Sequence, residues 1–444
     1  MAKEHHLNIL RQSIRNWNLS REQRPEVTPD LSGGDLKGVY LVAADLSGSN
    51  LVGANLEGAN ASKTDLSRAQ AKGARLVRTN LNRSDLQEAD FSEADLREAD
   101  LSSADLRKAN FSGANLKQSY LSAANLAGAE LQGADLSFAQ LDEATLAGGA
   151  LNGANFAGAF VIGANLQGAT MKDAVLAGAD FTDADLTEAL LSNADLTKAN
   201  LTKARLAHAD LGGARLTRAN LSEAVLSRAT AGQADLGWVE APYSDLAGTQ
   251  LVDSNLMGAN LTGANLREAN LTGAKLLGAN VGGAVLTKAI LSRADLTNAN
   301  LLRADLSGAD LTDAVLSGAV GPEARLTSAN LSGADLNSAD FKKACLGRAN
   351  LVGAKLDHAA LGSANLAGAN LRSASLRQAD LSGANLAGAD LTEADLSGSN
   401  IAGANLDEAN IAGANLSAVI GLVREQIQRV SSDGSTNLPV YLDF

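Results

Sequence analysis

Four histidines, one cysteine and 50 carboxylates are the groups in this chain that could move protons, attack electrophiles or hold metals. General-base or nucleophilic catalysis needs a base held against a nucleophile in a shielded pocket. His5 and His6 are neighbours near the N-terminus, while His208 and His358 stand far apart at outward positions, so none of them is paired in this way and all read as surface residues. Cys345, alone, excludes an internal disulfide framework and reads as an ordinary, partly exposed thiol. The carboxylates form regular rows, whereas metal ligands must converge on one point. The glycines recur at a fixed spacing as turn residues and do not gather in a phosphate-cradling loop. The sequence therefore predicts no catalytic residue, no metal site, no cofactor and no enzyme.

The elements that would position any functional group follow from one spacing. A central residue, usually Leu, stands at every fifth position from Leu31 to Leu416, 78 units without a break in frame. Only Ala61, Ala71, Ala231, Ala241 and Gly321 interrupt the row of large apolar centres. Two residues before each centre stands a small residue, nearly always Ala; Pro29, Val39 and Val239 are the exceptions. A helix needs an apolar period of 3.6 and a flat strand a period of 2, so an unbroken period of five fits neither and indicates a solenoid that turns a corner in every unit.

Units such as Ala264-Asn265-Leu266-Arg267-Glu268 and Ala334-Asp335-Leu336-Asn337-Ser338 spell A-(D/N)-L-x-x, and about nine-tenths of the chain resembles the pentapeptide-repeat family. The resemblance implies an all-β solenoid: a right-handed quadrilateral β-helix with four units per coil, central and small residues inside, and side chains twenty residues apart stacked. At about 4.8 Å per coil this predicts a rod of roughly 90 Å. Gly and Asn/Asp are expected to supply the corners, because they tolerate unusual backbone angles. The stacking also predicts volume exchange between coils, with Gly321 making room for Phe341, Ala71 beside Phe91, and Val239 compensating Ala241. Outside, charges at twenty-residue offsets alternate in sign, as in Arg68–Glu88, Arg78–Glu98 and Arg303–Glu323, although Lys63 beside Arg83 does not.

A solenoid needs caps over its exposed ends. Leu7, Leu10, Ile14 and Trp17 define an amphipathic helix stopped by Pro25, and Val423, Ile427 and Val430 return to helical spacing before an extended Leu438–Leu442 tail. The expected division is residues 1–30 as capping helix and linker, 31–418 as β-helix and 419–444 as helical cap and tail. The polar N-terminus lacks an apolar signal core and no stretch is long enough in apolar residues to span a bilayer. With a single cysteine, these features predict a cytoplasmic protein with no membrane partner.

The resemblance also implies one activity, in which an acidic rod mimics DNA in the groove of DNA gyrase or another type II topoisomerase. Here a net charge of −13 over roughly 90 Å is one charge per roughly 7 Å, against about 1.7 Å for duplex DNA. The acidic stretch from Asp85 to Asp105 is interleaved with Arg83, Arg97, Arg107 and Lys108. Gyrase binding is therefore the alternative to a protein-binding or scaffolding role, and direct nucleic-acid binding is not expected. The stronger local signal is Trp238 and Tyr243 at outward positions beside Pro242, with Met257 and Leu277 stacked nearby and Gly258 and Gly278 leaving room for the indole. Clustered exposed apolar residues on a polar surface mark partner sites. Trp238, Tyr243, Met257 and Leu277 are the candidate interface, for a protein partner or a homodimer, and Phe138, Phe160 and Ile162 form a weaker second candidate.

Overall fold

The computed structural model describes residues 3–442, and the chain divides into two compact units that meet in sequence between Val225 and Leu226. Each unit is a right-handed quadrilateral β-helix built from parallel one-residue bridges twenty residues apart, such as Asp45 with Asp65 in the first unit and Asn260 with Asn280 in the second.

The unit centred on Leu266 shows how five residues make one side of a coil. The Asn265 amide donates to Ser244 in the coil before, and the Leu266 and Glu268 amides donate to Val285 and Thr287 in the coil after. The Ala269 amide closes a turn onto Leu266 at 3.1 Å. Turning that tightly requires one left-handed residue, and it is the second after each centre: every fifth residue from Gly33 to Ala418 has φ between 53° and 71°. This is the third position of a type II turn, where glycine is the least strained occupant. Yet 46 of these corners carry other residues, among them Glu, Lys and Arg.

The expectation that Gly and Asn/Asp supply the corners is therefore met in part: glycines hold many of them, but among Asn and Asp only Asp173, Asp183, Asn193, Asp253, Asn298 and Asp313 take the left-handed angle. Most Asn and Asp stand instead just before the central residue and act through their side chains. The Asp180 Oδ1 accepts hydrogen bonds from the Thr182 amide and hydroxyl at 3.0 and 2.6 Å, which fastens the start of the turn. The Asn200 Nδ2 of the next coil donates to that same oxygen at 3.1 Å, so the polar row is also a ladder between coils.

Inside, the central residues are buried throughout both units, and so are the residues at the small position except half-buried Val39. A methyl group built on Gly321 would stand 2.6 Å from the Phe341 ring, which is the volume exchange expected from stacking. Val239 is fully buried beside Ala241. Phe91 and Phe111 stack with centroids 5.4 Å apart and planes 9° apart.

In the first unit the N-terminal cap is two helices where one was expected: α1, Glu4–Gln12, and α2, Ile14–Gln23. Ser13 breaks them. Its extended backbone (φ −162°, ψ 114°) lets its hydroxyl accept the Asn16 amide and cap α2, a competition with helix that serine often wins. Leu7, Leu10 and Trp17 are buried as expected, whereas Ile14 is half-buried. Polar side chains close the open edge of the first coil: Trp17 Nε1 donates to Asp45 O at 2.7 Å, and Asn18 both donates to Ala43 O and accepts from the Asp45 amide at 2.9 Å. His6, expected at the surface, is half-buried, and its Nδ1 accepts the Asp30 amide at 3.1 Å.

At the other end of the second unit, the expected helix spanning Val423 to Val430 is a single turn, α3, Arg424–Ile427. Val423 is exposed, and Ile427 and Val430 are only half-buried. An isolated helix this short gains little, whereas the open ladder offers ready backbone partners. The chain rejoins that ladder: Ile411 and Leu416 donate to Ser431 and Asn437 at 2.7 Å. The tail is likewise not extended throughout, since Val440–Leu442 form a 3-10 turn anchored by the Tyr441 hydroxyl on Val419 O at 2.9 Å.

Candidate docking face

Trp238 and Tyr243 occupy consecutive left-handed corners of one coil, with φ of 58° and 57°. Pro242 precedes Tyr243 in its turn, where its fixed φ suits the second position. One coil on, the same corners are Gly258 and Gly263, and the aromatic rings lie over them. A methyl group on Gly258 would stand 2.5 Å from Trp238 Cε3, and one on Gly263 would stand 2.7 Å from the Tyr243 ring. Both rings nevertheless remain open to solvent, at 57% and 69% exposure. Phe138 lies over Gly158 in the same way in the first unit. The geometry bears on the sequence candidates unequally: the Trp238 amide donates to Met257 O at 2.8 Å and Met257 is exposed, but Leu277 is half-buried.

The flat face between the Trp238 and Tyr243 corners has a particular chemistry. Its floor in the second unit runs through Glu240, Asn260, Asn280 and Asn300 to exposed Val320, with exposed Leu302 at its far edge. Asn260 donates to Glu240 at 2.7 Å, Asn280 to the Thr262 hydroxyl at 2.9 Å and Asn300 to Asn280 at 2.9 Å. No charged residue lies on this face from Gly258 to Leu302. Beyond it, Arg303 pairs with Glu323 at 2.9 Å, and the hydrogen bond from Arg303 holds that carboxyl below its usual range.

In the first unit, the face at the same phase of the twenty-residue cycle carries Tyr40, Tyr120 and Phe160 on its floor, Phe138 at its corner and exposed Ile162. All six outward-facing aromatics of the described coils thus share this phase of the twenty-residue cycle, four in the first unit and two in the second. Phe138, Phe160 and Ile162 are remote in sequence from Trp238 and form a separate local cluster. The signal they share is their position within the twenty-residue cycle.

The acidic stretch of the first unit is extensively paired. Arg68 meets Glu88 at 3.1 Å, Lys72 meets Glu93 at 3.2 Å and Arg78 meets Glu98 at 2.8 Å. Arg97 and Arg107 fold back on Asp95 and Asp105 at 2.7 and 2.6 Å. Hydrogen bonds from these arginines hold the carboxyls of Asp95, Glu98 and Asp105 below their ordinary values. His208, His358 and Cys345 are separately exposed. Among the described residues, no group of His, Cys, Asp or Glu is placed to hold a metal ion, and no helix is long and apolar enough to cross a membrane. A cleft of about 90 Å³ lies beside the N-terminal cap, lined in part by His5, His6, Trp17 and Arg21, but the Arg21 guanidinium is already bonded to Asp45, Val27 and Ser47.

A family model described as pentapeptide repeats matches overlapping stretches from residues 40–76 through 384–420. A comparison with curated proteins returns no match. Among solved structures, the chain is similar to HetL, a pentapeptide repeat protein involved in heterocyst differentiation regulation from the cyanobacterium Nostoc sp. strain PCC 7120. The two are 35% identical over 57% of this chain and 89% of that one, with a TM-score of 0.20. It is also similar to QnrB1, a plasmid-mediated fluoroquinolone resistance protein, at 19% identity over 46% and 92% of the two chains and a TM-score of 0.26. A pentapeptide repeat protein of the Arabidopsis thaliana thylakoid lumen is 36% identical over 22% of this chain and 67% of its own, with a TM-score of 0.18.

Proposed function

Because the chain belongs to the pentapeptide-repeat family, we propose that it is a non-enzymatic binding or scaffolding protein that meets a protein partner on the face marked by Trp238, Tyr243, Met257 and Leu277. The observation that carries this reading is the pair of aromatic rings, still 57% and 69% exposed, held over glycines on a face that carries no charge from Gly258 to Leu302. Covering a large apolar side chain completely contributes about 1.5–3 kcal/mol. Binding normally loses part of that gain by ordering mobile side chains. Rings already resting on Gly258 and Gly263 have less freedom left to lose.

The groups capable of acid, base or nucleophilic chemistry are dispersed over the surface or engaged in holding the N-terminal cap, which supports a role without catalysis or cofactor. A cytoplasmic setting is part of the same reading and rests on the single unpaired cysteine. The triple variant Trp238→Ala, Met257→Ser, Leu277→Ser tests the face. It should melt like the wild type and lose a partner that the wild type recovers from the native cell; unchanged recovery of every partner removes the reading.

The alternative is an acidic surface that stands in for DNA on gyrase. The ion pairs along Asp85–Asp105 weigh against it, because they cancel much of the negative charge such a mimic presents. A supercoiling assay separates the two: excess protein should leave gyrase activity unchanged, with or without a gyrase poison.

A further inference from the structure

We propose that the occupant of the Trp238–Tyr243 face is the same face of a second copy of this chain, seated so that the aromatic side chains of each copy rest on the partner's Gly278 and the partner's Gly283. This rests on the docking reading above and adds to it the identity of the partner.

Projection and recess lie on one face at a spacing that suits a two-fold axis. Trp238 and Tyr243 project at the two corners of one coil, and their own rings cover the glycines of the next. In the coil after that, the same two corners are Gly278 and Gly283, and nothing lies within 4 Å of where a side chain would begin on either. Projection and recess are therefore two coils apart, about 10 Å along the solenoid axis. A two-fold contact must be complementary to itself. An axis lying in the plane of contact, along the middle coil from Gly258 to Gly263, reverses the order of coils but keeps each corner on its own side. Trp238 then meets the partner's Gly278 and Tyr243 meets the partner's Gly283, and symmetry repeats both contacts. Half-buried Leu277 supplies an apolar wall beside the first recess.

Charge favours the same arrangement. A chain of net charge −13 repels its own copies, but this face carries no charge from Gly258 to Leu302. The symmetry places Glu240 opposite the partner's Asn280, an uncharged amide, and Glu240 already accepts a hydrogen bond from Asn260. The self-complementary core spans three coils, so the contact belongs with small, reversible interfaces below about 1,200 Å² of buried surface.

Sedimentation equilibrium of the full chain across a wide concentration range is the test. The wild type should rise from 45.3 kDa toward twice that mass. Trp238→Ser with Tyr243→Ser should remain monomeric. So should Gly278→Gln with Gly283→Gln, which keeps both aromatics and fills both recesses; Gln118, Gln233 and Gln378 hold the same left-handed corner elsewhere, so this variant should fold, as circular dichroism would verify. In a Cys345→Ser background, Thr262→Cys lies beside the axis and should give a disulfide-linked dimer on oxidation with copper phenanthroline, whereas Ser292→Cys, on the opposite face, should not. A wild type that stays at monomer mass at its highest soluble concentration overturns the inference, and so does a recess-filled variant that dimerises as the wild type does. If the wild type is monomeric but the Trp238, Met257, Leu277 variant loses a different protein, self-docking falls and the docking face stands. If neither mass nor recovered partners change, both fall.

Discussion

At the scale of the residue, each of the five positions has one task, and its sensitivity to substitution should follow. Leu266 is fully buried, while its neighbour Arg267 is exposed. Leu266→Asp puts a carboxylate where it has no partner and should cost several kcal/mol. Arg267→Ala should change stability by less than about 0.5 kcal/mol. Urea denaturation of the two variants checks the inward register, and equal losses would contradict it. The inward positions were readable because burial leaves only Leu-like and Ala-like residues there. The division of labour at the corner was not: Asp, Asn and Gly all favour turns, and composition does not say which of them supplies a backbone angle and which supplies a hydrogen bond. Asp180, with its carboxylate on the Thr182 amide, and Glu188, with φ of 60°, settle that difference only in three dimensions.

At the scale of the element, the repeat was legible and the ends were not. The coils repeat one solution, so 78 weak signals in phase add up. A cap occurs once, and its form depends on the edge it must close. Leu7, Leu10 and Trp17 announced an apolar stripe, but nothing in their spacing revealed that Ser13 would split the helix or that Asn18 would serve as a surrogate strand. The C-terminal segment shows the converse, since helical spacing from Val423 to Val430 yields one turn when the ladder beside it competes for the backbone. The aromatic face was equally hidden, because its members are remote in sequence and share only their phase within the coil. For the N-terminal cap we expect Asn18→Ala, which strips partners from the Ala43 carbonyl and the Asp45 amide, to destabilise the first unit by about 1–2 kcal/mol. Hydrogen exchange should localise the loss to the first coil; uniform loss throughout the unit would contradict a capping role.

At the scale of the whole molecule, ion pairs between coils and within them make stability depend on acidity. Hydrogen bonds from Arg78 and Arg107 hold Glu98 and Asp105 below their ordinary values of 4.5 and 3.8. At Asp357 burial acts upward, but hydrogen bonds from Arg377 and Ser375 outweigh it, and the net shift is again downward. A carboxyl whose folded value is lowered contributes stability that is present above its unfolded value and lost as pH falls through the folded one. Melting temperature should therefore fall as the solution is taken from pH 5 to about pH 3, and Arg78→Gln should soften that fall by releasing Glu98. An unchanged acid profile in the variant would show that this pair contributes nothing. The hydrogen-bonded ladder between coils also has a mechanical consequence. Because each coil is fastened mainly to its two neighbours, tension on a chain end acts on one coil at a time, and each release pays out twenty residues, roughly 70 Å of slack. Under load each unit is a spool that gives way in equal lengths.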